Sequence, residues 1–83
     1  MARINEFEAV AGESTTVHGP VGCGYRSFSL GGEKYLQLDT YGSAYRAIPG
    51  KVSQSIQLDR AGALALCQIL VETFPGLMRD LER

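Results

Sequence analysis

Lys34-Tyr35-Leu36-Gln37-Leu38-Asp39-Thr40-Tyr41 and Val52-Ser53-Gln54-Ser55-Ile56-Gln57-Leu58, followed by an apolar run from Arg60 to Phe74, decide the fold of this chain. Each of the first two stretches alternates by twos, the pattern of a strand whose faces meet different surroundings. Leu36 and Leu38 point one way, and Tyr35, Gln37, Asp39 and Tyr41 point the other. In the second stretch Val52, Ile56 and Leu58 share a face with Gln54, opposed by Ser53, Ser55 and Gln57. One face of the resulting sheet needs cover from water. The other, built of phenol rings, amides and hydroxyls, is the candidate working surface.

The cover comes from the third stretch. Asp59 is placed to cap a helix by accepting from the free amides of its first turn, and the pattern predicts that helix over residues 60–74. Pro75-Gly76 then stops it. Ala61, Ala63, Leu64, Ala65, Leu66, Cys67, Ile69, Leu70, Val71 and Phe74 spread well beyond one stripe, leaving Arg60, Gln68 and Glu72 as the clearly polar positions. A helix apolar nearly all round is buried on more than one side. The sheet supplies one side, and a second copy of the chain is the expected cover for the other. Wrapping by the amino-terminal arm and by Leu77, Met78 and Leu81 is the alternative.

Outward from the first stretch, Gly31-Gly32 joins it to residues 24–30 as a tight hairpin, because a two-residue loop needs positive φ. In that strand Arg26, Phe28 and Leu30 share one face, and Tyr25, Ser27 and Ser29 the other. Residues 42–50 form a longer connecting loop that carries Tyr45 and Arg46, either as a binding element or with Tyr45 tucked under it as a plug. Thr15 to His18 reads as a short strand before the Gly19-Pro20 break. For residues 3–10 the spacing admits either a strand or a turn of helix. The expectation is one α+β domain over residues 1–83: an arm (1–12), a curved antiparallel sheet of about four strands (14–58), one helix packed on one face (59–74) and a tail (75–83).

Composition narrows the functional classes. An 83-residue chain buries only about two thirds of its unfolded surface, so a partner subunit would help to stabilise its core. The formal net charge is −1, which speaks against a strongly basic nucleic-acid binder. Within residues 17–58, however, Arg26, Lys34, Arg46 and Lys51 stand against Glu33 and Asp39, four cations to two anions. The sheet is thus the basic part of an acidic chain. Cys23 and Cys67 lack the spacing of a metal site or disulfide framework and read as free thiols in a reducing compartment. No metal or cofactor is expected. Neither a signal-peptide pattern nor an apolar stretch long enough for a bilayer is evident, so a cytoplasmic protein without membrane association is the expectation.

No residue set points to an enzyme. His18, the single histidine, has no identifiable triad or metal partners. Asp39 reads as a hydrogen-bond acceptor sooner than as a general base. Gly31-Gly32 lacks the lysine and helix of a phosphate loop. The open face can stack and hydrogen-bond: Tyr25, Tyr35, Tyr41 and Tyr45 offer flat rings, Gln37 and Gln57 amides, and Ser53 and Ser55 hydroxyls. Lys34, Arg46 and Lys51 lie at its edges. Such a surface suits single-stranded DNA or RNA, whose bases stack on aromatics while cations follow the phosphates. Duplex readout is disfavoured, since no basic helix is available for a major groove.

Over residues 24–74 the order of strands, hairpin, loop and helix resembles the single-stranded-DNA-binding domain of the positive-cofactor-four family of transcriptional coactivators. Lys34 to Tyr41 is similar to that family's strand ending in an aromatic. Pro49-Gly50-Lys51-Val52, followed by Ser55-Ile56-Gln57-Leu58, is similar to its glycine-lysine turn and last strand. The resemblance implies a four-stranded antiparallel sheet backed by one helix, a homodimer, and a groove for unpaired DNA lined by Tyr41, Arg46 and Lys51. A transcription or DNA-metabolism accessory factor would follow. This chain departs from the family in being less basic and in having no tryptophan in loop 42–50. The rival expectation is a protein-interaction module or inhibitory subunit that uses the tyrosine-rich face as its anchor.

Overall fold

Glycine at two successive positions starts the sheet. Gly31 and Gly32 adopt φ values of 61° and 81°, which side-chain-bearing residues resist, and the chain reverses there between strands. The computed structural model describes residues 1–13, 15–42 and 51–83. Its elements in order are strands β1 (Ala2–Ile4), β2 (Cys23–Leu30), β3 (Glu33–Tyr41) and β4 (Val52–Leu58), then helices α1 (Arg60–Thr73) and α2 (Leu77–Leu81). The sheet is open, in the order β1-β4-β3-β2. The α+β class is as the alternation predicts.

Three features differ from the sequence expectation. The sheet is mixed, not wholly antiparallel: β2–β3 and β3–β4 are antiparallel, but β1 runs parallel to β4, pairing Ala2, Arg3 and Ile4 with Ile56, Gln57 and Leu58. No tight turn joins β1 to β4, so hairpin geometry does not dictate their direction. Secondly, the fourth strand comes from the start of the chain. Thr15 to His18 is not a strand, and β1 resolves the open choice for residues 3–10 as strand at its beginning. Thirdly, the tail contains α2, set off from α1 by Pro75 and by Gly76 at φ 85°.

Helix α1 begins as the cap pattern requires: an Asp59 carboxylate oxygen accepts from the Gly62 amide at 2.8 Å. Gly62 is buried, because the start of α1 presses on the backbone just after β1. A Cβ at position 62 would overlap the Ile4 carbonyl oxygen and lie 3.0 Å from its carbonyl carbon. Leu58, 3% exposed, is the one buried apolar side chain among the described residues. Leu36, Leu38, Ile56 and Ile4 are half-buried on the same face. Much of α1 stays uncovered: Leu64 is 63% exposed, and Phe74, the residue that caps its end, 54%.

Candidate functional site

The pairing register writes the opposite face as transverse rows. Arg26 of β2 lies opposite Gln37 of β3, which lies opposite Gln57 of β4, which in turn pairs with Arg3 of β1. The neighbouring row sets Gly24 beside Asp39 and Ser55, and on the other side Phe28 stands beside Tyr35. Side chains two apart on a strand share a face, so these rows form one continuous surface.

Hydrogen bonds tie the central rows together. The Gln37 carbonyl oxygen accepts from Gln57 Nε2 at 2.9 Å and from an Arg26 guanidinium nitrogen at 3.3 Å. Gln37 Nε2 donates to Asp39 Oδ1 at 3.0 Å, and the Ser55 hydroxyl donates to the same oxygen at 2.5 Å. The Ser55 hydroxyl foremost, and then the Gln37 amide, hold the Asp39 carboxyl below the usual carboxylate range; the charge of Arg26 adds to this and desolvation works against it. Hydrogen bonds to the charged form favour it, so Asp39 is an anion at neutral pH.

Aromatic rings flank this polar band. Phe28 and Tyr35 stack with centroids 5.5 Å apart and planes inclined by 29°, and the Arg26 guanidinium sits 5.3 Å from the Phe28 ring centroid. At the other end Tyr41 reaches across to Gly24, its hydroxyl 2.5 Å from where a Cβ there would stand. Its amide donates to the Gly22 carbonyl at 3.1 Å. A bulge accompanies this end: Thr40 pairs with Gln54 but Tyr41 with Val52, leaving Ser53 as the extra residue. Shallow hollows of about 630 and 320 Å³ lie along the β1–β4 side of the band. Met1, Gln37 and Ser55 line both; Asp39 and Ser53 belong to the larger, Arg3 and Gln57 to the smaller.

Of the residues expected to form the site, the structure brings Tyr35, Gln37, Tyr41, Ser55 and Gln57 onto one face. Ser53 is exposed at the bulge, and Lys51 is exposed just before β4. Tyr45 and Arg46 lie outside the described residues. Tyr25 is a correction: it pairs with Leu38, which puts it on the face opposite Gln37, 79% exposed. Lys34, paired with Ser29, likewise shares the side of Leu36. Their places on the open face go to Phe28 and Arg26, which sequence reasoning left out. The signal was available, since a two-residue loop pairs Leu30 with Glu33 and, counting back, Phe28 with Tyr35 and Arg26 with Gln37. Arg3 carried no such signal, because it reaches the face only through β1.

Comparison with protein families, with curated proteins and with solved structures finds no match to this chain.

Proposed function

We propose that this chain binds single-stranded nucleic acid across the open face, as a homodimer. The observation that carries this reading is the arrangement of rings and cations about the polar band: Phe28 and Tyr35 at one end, Tyr41 at the other, Arg26 and Arg3 at the flanks. Tyr35 and Tyr41 are six residues apart on β3, about 20 Å at the rise of a strand, a span of a few extended nucleotides. Each base stacked on an aromatic contributes about 1–3 kcal/mol. Arg26, Arg3 and Lys51 supply phosphate contacts, joined in this reading by Arg46. Tyr45 is a further stacking candidate, and Gln37, Ser53, Ser55 and Gln57 are hydrogen-bonding partners for base edges.

The homodimer rests on surface area. A compact monomer of 9.0 kDa exposes roughly 4,900 Å², whereas this chain exposes 7404 Å². Part of the excess lies in residues 5–13 and 15–22, which have no helix or strand, and part on α1. Along α1 and its C-cap the exposed residues Leu64, Cys67, Val71 and Phe74 follow the three-four-three spacing with which one helix packs lengthwise on another. A standard interface covers about 800 Å² per partner, well within the excess.

Fluorescence anisotropy with a labelled oligo-dT strand at two salt concentrations tests the binding. With three or four phosphates neutralised, the logarithm of affinity should fall against the logarithm of salt with a slope of about −2 to −3. Arg26→Ala should reduce that slope by about 0.7. No salt-sensitive binding at tens of micromolar protein would refute the reading. The net charge of −1 favours the rival, a protein partner held by the same rings; recovery of a partner that survives nuclease treatment would support it.

A further inference from the structure

The polar band has a chemical polarity that a general strand binder does not need. Its carbonyl and carboxylate oxygens are unequally occupied. Asp39 Oδ1 accepts from both Gln37 and Ser55, and the Gln37 oxygen accepts from both Gln57 and Arg26. Among the described residues no hydrogen bond reaches Asp39 Oδ2, whose two lone pairs are there for an outside donor. The carboxylate carries its charge because those two donors favour the ionised form. It stands between the stacking stations of Tyr35 and Tyr41, beside the larger hollow on the β4 side. A fixed anion there repels phosphate, so the backbone must run along the cationic flanks while a base edge faces the middle.

We infer that Asp39 selects guanine at the centre of the open face, accepting the base's ring imino and exocyclic amino hydrogens on its free oxygen. The inference rests on the nucleic-acid reading given above. Guanine is the base that sets two N–H donors side by side on its pairing edge. Thymine and uracil present one donor between two carbonyls, which the carboxylate repels. Adenine and cytosine each set a ring acceptor beside their amino group. Gln37 and Ser55, by occupying Oδ1, fix the carboxylate and leave Oδ2 to the base; they act as positioning residues.

The test compares three labelled strands of equal length in lithium buffer, which discourages quadruplexes: oligo-dT, a repeat of two thymines and one guanine, and the same repeat with inosine for guanine. Wild-type protein should bind the guanine strand about tenfold more tightly than oligo-dT, the range of a good two-donor contact. The inosine strand, lacking the exocyclic amino group, should fall between. Asp39→Asn keeps an oxygen for Ser55 and Gln37 but replaces the free acceptor with a donor. That variant should lose the preference and at the same time bind oligo-dT more tightly, because an anion has left the phosphate's vicinity. Equal binding of all three strands by wild type overturns the inference and leaves the nucleic-acid reading intact. Retained preference in Asp39→Asn overturns it also. Failure to bind any strand refutes the underlying reading and the inference with it.

Discussion

Replacing Gly62 with alanine should destabilise this protein, although the same change in an exposed helix stabilises it. Alanine gains about 1 kcal/mol over glycine in a helix interior. Here a Cβ would overlap the Ile4 carbonyl oxygen and crowd the Asn5 Cα at 3.4 Å. Both obstacles are backbone, so no side chain can swing aside. Forcing extra volume into a close-packed place costs about 1–3 kcal/mol, and a backbone obstacle puts the cost at the upper end, leaving a net loss of about 2 kcal/mol once the propensity gain of about 1 kcal/mol is subtracted. Urea unfolding followed by far-ultraviolet circular dichroism measures it. A chain lacking residues 1–5 provides the decisive companion: with the obstacle gone, Gly62→Ala should stabilise it by about 1 kcal/mol, so the effect changes sign. An unchanged or raised stability for Gly62→Ala in the full chain would refute the close-approach argument. So would the same loss in the shortened chain.

Other consequences follow from the same contacts. Asp59→Ala should cost about 1 kcal/mol through loss of the cap at Gly62, whereas Asp59→Asn, still able to cap, should stay within a few tenths in denaturant unfolding. The Arg3–Asp59 pair, 3.9 Å apart with the arginine half-exposed, adds little. Because the folded state holds Asp39 below its ordinary value of 3.8, its stabilisation is complete above that value and disappears as pH falls through the lower folded value. Asp39→Asn should therefore flatten the acid limb of a stability–pH curve in this range while leaving the neutral limb's slope unchanged. Leu64→Glu, at a position already 63% exposed, should leave the circular dichroism spectrum intact and convert the proposed dimer to monomer in sedimentation equilibrium. A dimer of undiminished strength would exclude α1 as the interface.

How legible this molecule was depends on whether an element is specified locally. The alternation of residues 34–41 and 52–58, the Gly31-Gly32 turn and the Asp59 cap each carry their instruction within a few residues, and the strands β2, β3 and β4 and the start of α1 follow from them. The transverse order of the polar band was equally implicit, since hairpin register converts one turn into a list of neighbours. Placing Tyr25 on the open face overlooked that arithmetic; Phe28, opposite Tyr35, was the ring to choose. β1 is different. Three residues, Ala2 to Ile4, have too little pattern to distinguish strand from helix, and their pairing with β4 is a tertiary decision. It is set by the open edge of β4, whose amides and carbonyls would otherwise lack partners, and by the space left at Gly62.

That short strand joins the core to the surface. The carbonyl of Ile4 meets the start of α1, while Arg3, one residue earlier, pairs with Gln57 and completes the row Arg26–Gln37–Gln57, its guanidinium 3.9 Å from the Asp59 carboxylate. Displacing β1 from the helix side therefore removes a cation from the proposed binding face. Gly62→Ala touches no residue of the open face, yet it should weaken the salt-dependent part of oligonucleotide binding by about as much as Arg3→Ala does. The double variant should add little to either single one, because both act through the placement of one guanidinium. Additive losses in that cycle would mean that β1 keeps its register when α1 is pushed away, and that the helix and the open face are independent.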